Sequence, residues 1–211
     1  MSGTLPASPA PARVEIGSIQ PSLVSIAHSL ARKSRTLGGQ RFTFRLSYPP
    51  MTHAQFAPIW GFLIGQRGQY DTFSWALPSR VWPFRGYASG TPTVNNQSGS
   101  PEELQTGSRN VATSGWPPAQ TNVMRAGDLV AFVGHGKIYS IRQDIDADSN
   151  GSATLAIEPA LVAGPAHASL ITRGTVTVTV SLAGDVQKFE ALPRAGSLQK
   201  YRFDLDLIEA Y

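Results

Sequence analysis

The most regular pattern in the chain is an alternation of apolar and polar residues, which is typical of strands with one buried face. It is strict in residues 40–46, where Phe and Leu share one face and Arg and Thr share the other. The same period covers 70–77, 175–182 and 198–208. Residues 22–35 hold Leu23, Ile26 and Leu30 among small and basic residues, which predicts one or two strands there. The long elements of this chain are therefore predicted to be strands.

A second, denser group of strands is predicted in the middle of the chain. Short apolar runs cover 128–133, 137–142 and 153–158. A Gly-His-Gly turn at 134–136 joins the first two runs, and the polar turn at 148–151 precedes the third. This spacing favours a small barrel-like unit.

A single helix is predicted over about 52–65, after Pro49-Pro50 ends a strand. Thr52 and Gln55 have the spacing of a capping box, in which side chains satisfy the first free amides of a helix. Apolar residues then recur at helical spacing. These are Phe56, Ile59, Trp60, Leu63 and Ile64.

The order of these patterns predicts one domain interrupted by another. Two terminal strands cannot be stable alone, so we expect them to complete the sheet begun by the N-terminal strands. A loop-rich change in composition begins near residue 86, and Gly164-Pro165 closes the middle segment. The predicted domains are 1–85 with 165–211, and 86–164 between them. Residues 1–12, rich in Pro, Ala and Ser, predict a flexible lead within the first domain.

Composition excludes several classes of protein. No run of 18 apolar residues is present, so no transmembrane helix is expected. The first residues lack the basic and apolar regions of a signal peptide. With no cysteine, disulfides and zinc–thiolate sites are absent. Charged residues are only 15% of the chain, against about 25% in typical domains, which favours a surface partly covered by a partner.

The charges are unevenly distributed along the chain. Residues 1–95 carry nine basic and two acidic side chains, and residues 96–211 carry nine basic and twelve acidic ones. The formal net charge of +4 therefore divides into +7 and −3. Such asymmetry is found in nucleic-acid-binding proteins and equally in subunits that dock on one another.

Candidate metal and catalytic residues do not form a recognisable site. Asp146–Gly151 matches the first half of an EF-hand loop, but the required position-twelve glutamate is Ile157. The adjacent carboxylates Glu102-Glu103 and the pair Asp204 and Asp206 are interpreted as charged surface. None of the histidines has a partner at metal-ligand spacing; they are His28, His53, His135 and His167. We therefore expect no enzyme, no metal and no cofactor.

Two binding functions remain as alternatives. A carbohydrate-binding module could use Tyr87, Trp116 and Tyr139 as stacking platforms. A single-stranded nucleic-acid binder would need basic charge on the barrel-like segment, yet 119–164 has a net charge of −2.

Several motifs resemble one family of viral structural proteins. They are Arg125-Ala126-Gly127-Asp128-Leu129, Val133-Gly134-His135-Gly136-Lys137-Ile138-Tyr139, and Ala153 to Leu161 with Pro159. Together with Leu46-Ser47-Tyr48-Pro49-Pro50 before a helix, they resemble the T5-like distal tail proteins of bacteriophages with long, flexible tails. Total length and the inserted-domain layout are also similar.

The resemblance implies a mainly β (α+β) fold. A β-sandwich-like domain with one helix would form the ring, and an inserted OB-like β-barrel would point outwards. It implies a homo-hexameric ring at the virion tail tip, assembled in the host cytoplasm. Its neighbours would be the tail tube protein and the hub or fibre-bearing proteins. No membrane is implied, and DNA would at most pass through the ring lumen.

The basic N-terminal part suits head-to-tail contacts in such a ring. We expect Arg32, Arg35, Arg41 and Arg45 to serve ring or stacking interfaces.

Overall fold

The computed structural model describes residues 3–96, 106–192 and 199–211 of the chain. Its strand content of 39% and its single helix confirm the predicted mainly β fold class. The contacts divide the chain into two compact units. The first unit comprises Met1–Trp75 and Thr179–Ala210, and the second comprises Ala76–Val178 with Tyr211. The sequence places the corresponding boundaries near residues 86 and 164.

Fifteen strands and one helix lie in the described residues. They are β1 (Arg13–Ile19), β2 (Ser22–Ile26), β3 (Arg32–Thr36), β4 (Arg41–Ser47), α1 (His53–Gly65), β5 (Phe73–Ala76), β6 (Thr93–Val94), β7 (Asn110–Ser114), β8 (Leu129–Phe132), β9 (Ile138–Ile141), β10 (Ala153–Glu158), β11 (Ile171–Arg173), β12 (Thr177–Leu182), β13 (Glu190–Leu192), β14 (Lys200–Arg202) and β15 (Asp204–Glu209).

A five-stranded sheet with the order β1-β4-β15-β12-β5 forms the centre of the first unit. Strand β4 lies between β1 and β15 and is antiparallel to both. The predicted alternation is confirmed, because Phe42, Phe44 and Leu46 of β4 are buried while Arg41 and Arg45 are exposed. Apolar residues of β12 and β15 that follow the same period extend this core, since a strand directs alternate side chains to one face.

Helix α1 begins as predicted, with Thr52 as its N-cap. The side-chain carbonyl of Gln55 accepts the Thr52 amide hydrogen at 3.0 Å, which satisfies one of the free donors at this end. Phe56 is buried in an aromatic cluster and stacks on Tyr201, with the ring centroids 4.8 Å apart. The predicted apolar stripe is too wide, because Ile64 is 59% exposed.

The second unit contains a six-stranded antiparallel sheet with the order β11-β8-β9-β10-β7-β6. This sheet curls until its two edges meet. The amide of Val94, in β6, donates to Ser169 O, and that of Ile171, in β11, donates to Pro92 O. The result is a nearly closed barrel, as the turns of the middle segment predicted. Buried side chains from all six strands fill its interior.

Two sequence predictions are wrong. Residues 3–5 are not a flexible lead, because Leu5 is 4% exposed and its amide donates to Ser74 O at 2.9 Å. The predicted strand over 198–208 is divided after Arg202: β14 pairs with β13, whereas β15 pairs with β4 and β12. Alternation alone cannot reveal such a change of partner, because the two strands keep the same period.

Candidate interaction surface

The β2–β3 hairpin has no packing partner among the described residues. It forms a two-stranded sheet of its own, and all residues from 17 to 39 are exposed. An isolated two-stranded hairpin is at best marginally stable in water. The hairpin is therefore the segment of this chain that most needs a further surface to cover it.

The hairpin exposes large apolar side chains. The residues Leu23, Val24, Ile26 and Leu30 are each between 49% and 84% exposed. Single exposed apolar residues are common on protein surfaces, but a contiguous group of them marks an interaction site. Val24 and Ile26 share one face of the hairpin and Leu23 lies on the other, so the hairpin exposes apolar surface on both faces.

All charged side chains of the same hairpin are basic. Arg32, Lys33 and Arg35 lie on β3, and no Asp or Glu occurs between Ile16 and Tyr70. None of these three cations has an ion pair within the described residues. The hairpin combines unpaired positive charge with exposed apolar surface, which suits a partner with a negative surface.

The structure separates the four predicted interface arginines into two groups. Arg32 and Arg35 lie together on the exposed hairpin, and Arg41 is exposed at the start of β4. Arg45 instead lies on the outer face of the five-stranded sheet, where it contacts Asp204 at 3.3 Å and Asp206 at 3.8 Å. Its hydrogen bond to Asp204, followed by the nearby carboxylates, raises the pKa of Arg45.

The predicted carboxylate pair, Asp204 and Asp206, supplies the contacts of Arg45. Asp204 and Asp206 are alternate residues of β15, and both face Arg45 across the strand pairing. This is the charged surface that the sequence indicated. Glu102 and Glu103 lie outside the described residues.

A groove that the sequence analysis missed lies beside Arg45. It has a volume of about 690 Å³ and is lined by Phe189, Phe203 and the loop from 183 to 188. Equal numbers of cationic and anionic side chains surround it, so it attracts neither sign of ligand strongly. The pairing of β13 with β14 builds one wall, and no sequence signal distinguished that pairing.

Two of the three proposed carbohydrate platforms are buried. Trp116 is 3% exposed and Tyr139 is 0% exposed, and both belong to the core of the six-stranded barrel. The indole nitrogen of Trp116 donates to Thr113 Oγ1 at 2.8 Å, which satisfies its polar group. Of the three candidate rings, only Tyr87 is partly accessible.

The EF-hand-like segment forms a turn instead of a metal loop. The Asp148 carboxylate accepts the amides of Asn150 and Ser152, each at 2.8 Å. Ile157, at the position that needs a bidentate glutamate, is buried in the barrel core. In residues 3–96, 106–192 and 199–211, no cluster of three or more His, Asp or Glu side chains could hold a metal ion.

The histidines have local roles where their contacts are defined. The ring of His53 meets that of Tyr201 edge-on, with the centroids 5.6 Å apart. The Nδ1 atom of His167 accepts the Asn96 amide at 3.2 Å. Burial lowers the pKa of His135, which contacts Phe132 at the turn after β8, although a backbone hydrogen bond at Gly164 partly opposes this shift.

Comparison with known proteins assigns the chain to no group: no protein-family model matches it, and no curated protein matches it. Among the described residues, no helix combines the length and apolarity that a bilayer crossing requires.

Proposed function

We propose that the chain is a structural subunit of a bacteriophage tail tip. Six copies form a ring that joins the distal end of the tail tube to the hub or receptor-binding proteins. In this role the protein acts by assembly and carries no enzymatic activity. DNA passes through the lumen of the ring without a dedicated binding site.

The observation that carries the proposal is the unpartnered β2–β3 hairpin. Its apolar and basic side chains are exposed, and residues 96–211 carry a net charge of −3. A subunit with two different complementary surfaces makes heterologous contacts, and such contacts close into rings when the rotation between copies permits. The number six comes from the resemblance to distal tail proteins.

Because Arg45 contacts two carboxylates of its own sheet, the proposed interface contains fewer arginines than the sequence predicted. Arg45 is engaged by Asp204 and Asp206 within its own sheet, whereas Arg32 and Arg35 have no ion pair among the described residues. We therefore assign subunit contacts to Arg32 and Arg35, with Arg41 at the base of the hairpin beside them. Arg45 contributes to the local sheet surface.

The test compares the oligomeric state of matched variants. The double variant R32S/R35S should remain folded by circular dichroism and lose the ring by light scattering and negative-stain microscopy. The control K188S/R202S removes two exposed cations from the same unit and should retain the ring. Six-fold rings of wild type with a central hole of tail-tube size support the proposal. Wild type that stays monomeric, alone and with tail tube protein, would contradict it.

A further inference from the structure

Six carboxylates in the described part of the chain have an arginine partner, which draws attention to a group of neighbouring carboxylates that have none. Arginines partner the carboxylates of Glu15, Asp71, Asp128, Glu158, Asp204 and Asp206 within 4 Å. Three neighbouring carboxylates, Asp144, Asp146 and Asp148, have no ion pair in the described part of the chain. They form the longest run of exposed, unpaired negative charge there.

The geometry of this acidic row is well defined. Asp144, Asp146 and Asp148 are exposed, whereas the intervening Ile145 and Ala147 are buried. The three carboxylates therefore lie on one side of the segment, on alternate residues.

Backbone amides orient these carboxylates. Asp144 accepts the Ala126 amide at 2.9 Å, and Asp146 accepts the Asn122 amide at 2.6 Å. In both contacts a single carboxylate oxygen is the acceptor. The acidic row is therefore held in place while retaining the capacity to bind cations.

The hairpin provides a matching basic face. Residues that pair across an antiparallel ladder share a face, and Lys33 pairs with Ser25 while Arg35 pairs with Leu23. Lys33 and Arg35 are alternate residues of β3, so their side chains repeat at an interval of about 7 Å. Arg32 pairs with Ile26 and lies on the opposite face, so of the two arginines assigned to subunit contacts only Arg35 belongs to this docking face.

We infer that the basic face of the hairpin, Lys33 and Arg35, docks on the acidic row of a second copy of this chain. This contact rests on the proposed ring and would hold its neighbouring subunits together. Both surfaces lack ion pairs among the described residues, they carry opposite charge, and on each the charges fall on alternate residues. Two different patches that meet in this way give the heterologous contact that a ring requires.

Disulfide trapping tests the contact directly, because the chain contains no cysteine. Ser25→Cys places a thiol on the basic face, and Ser149→Cys places one beside the acidic row. Mixing the two single variants under mild oxidation should yield a covalent heterodimer, which only an intermolecular contact can give. Ser34→Cys lies on the opposite face of the hairpin and is the matched control. It should give several-fold less heterodimer with Ser149→Cys.

A second measurement uses a variant that is expected to keep its fold. The variant D144N/D146N/D148N retains an oxygen that can accept each backbone amide but removes the charge. It should associate at least about tenfold more weakly than wild type in analytical ultracentrifugation, with a smaller dependence on salt. Rings that persist in this variant, with no heterodimer in the trapping experiment, would overturn the docking contact and leave the proposed ring standing. A wild type with neither rings nor heterodimer would overturn both.

Discussion

The guanidinium group of Arg173 lies over the indole ring of Trp116, with Cζ 5.1 Å from the ring centroid. The same group binds the backbone of the segment after β5. Its Nη2 atom lies within 3.0 Å of the carbonyl oxygens of Ala88, Ser89 and Gly90, and Nε donates to Tyr87 O. Burial lowers the pKa of Arg173, but an arginine remains charged at any ordinary pH. This single side chain therefore fixes a loop that has little apolar surface of its own.

We predict that Arg173→Ala destabilises the barrel unit by about 2 kcal/mol, the scale of hydrogen bonds to a charged group together with a cation–π contact. Arg173→Lys should recover less than half of this loss, because an ammonium group cannot reproduce the planar fork. Urea unfolding followed by tryptophan fluorescence measures the difference. An Arg173→Ala variant as stable as wild type would show that the loop is held by other contacts.

The burial of Leu5 contradicts the flexible N-terminal lead that the composition of residues 1–12 predicted. Its side chain is 4% exposed, and residues 3–5 pair with Ser74 of β5. We predict that Leu5→Ala lowers the free energy of unfolding by about 2–3 kcal/mol, the usual cost of removing a buried leucine side chain. Leu37→Ala is the control, because Leu37 is 56% exposed and its loss should change the free energy by less than about 0.5 kcal/mol. Equal effects of the two changes, measured by thermal and urea denaturation, would contradict the packing of Leu5.

The alternation of residue types predicted the parts of the fold that depend on local periodicity. Strand β4, the N-cap of α1 and the strands of the barrel follow from patterns within a few residues. The docking of Leu5 and the separation of β14 from β15 do not, because each depends on a strand distant in the sequence. The edge strand β1 was also missed, since only Val14 and Ile16 alternate there with exposed neighbours, and both are themselves only half-buried.

The candidate surface was predicted only in part, for a related reason. Sequence indicated a basic N-terminal region, and the structure locates Arg32 and Arg35 on a separate hairpin. Sequence could not show that Arg45 faces Asp204 and Asp206, because that contact requires the register between β4 and β15. The lack of acidic residues from Ile16 to Tyr70 is the signal that could have delimited the surface earlier.

The buried phenol of Tyr48 should make the free energy of unfolding fall as the pH rises in the alkaline range. Its ring stacks on Phe203, with centroids 4.6 Å apart, and burial raises the pKa of Tyr48 to about 12. The unfolded chain ionises this phenol from about pH 10, while the folded chain keeps it neutral. The stabilising contribution is therefore complete below pH 10 and is lost as the pH rises towards 12.

We predict that Tyr48→Phe is nearly as stable as wild type at pH 8 and loses less stability between pH 10 and 12. The difference should approach 2–3 kcal/mol, since one pKa unit corresponds to about 1.4 kcal/mol. Urea unfolding at several pH values measures it. Tyr70→Phe, at a ring that is 77% exposed, should follow the wild-type curve. Parallel curves for wild type and Tyr48→Phe would rule out this role.

Deletion of the hairpin separates folding from assembly. Because every residue from 17 to 39 is exposed, replacing residues 22–36 by a short glycine turn removes little buried apolar surface. We therefore expect a melting temperature within a few degrees of wild type by calorimetry, whereas ring formation in light scattering should be lost completely. The apolar substitutions L23S/I26S should give an intermediate loss of rings and a lower tendency to aggregate. A large fall in melting temperature would instead show that the hairpin supports its own unit, and rings formed without it would place the subunit contact elsewhere.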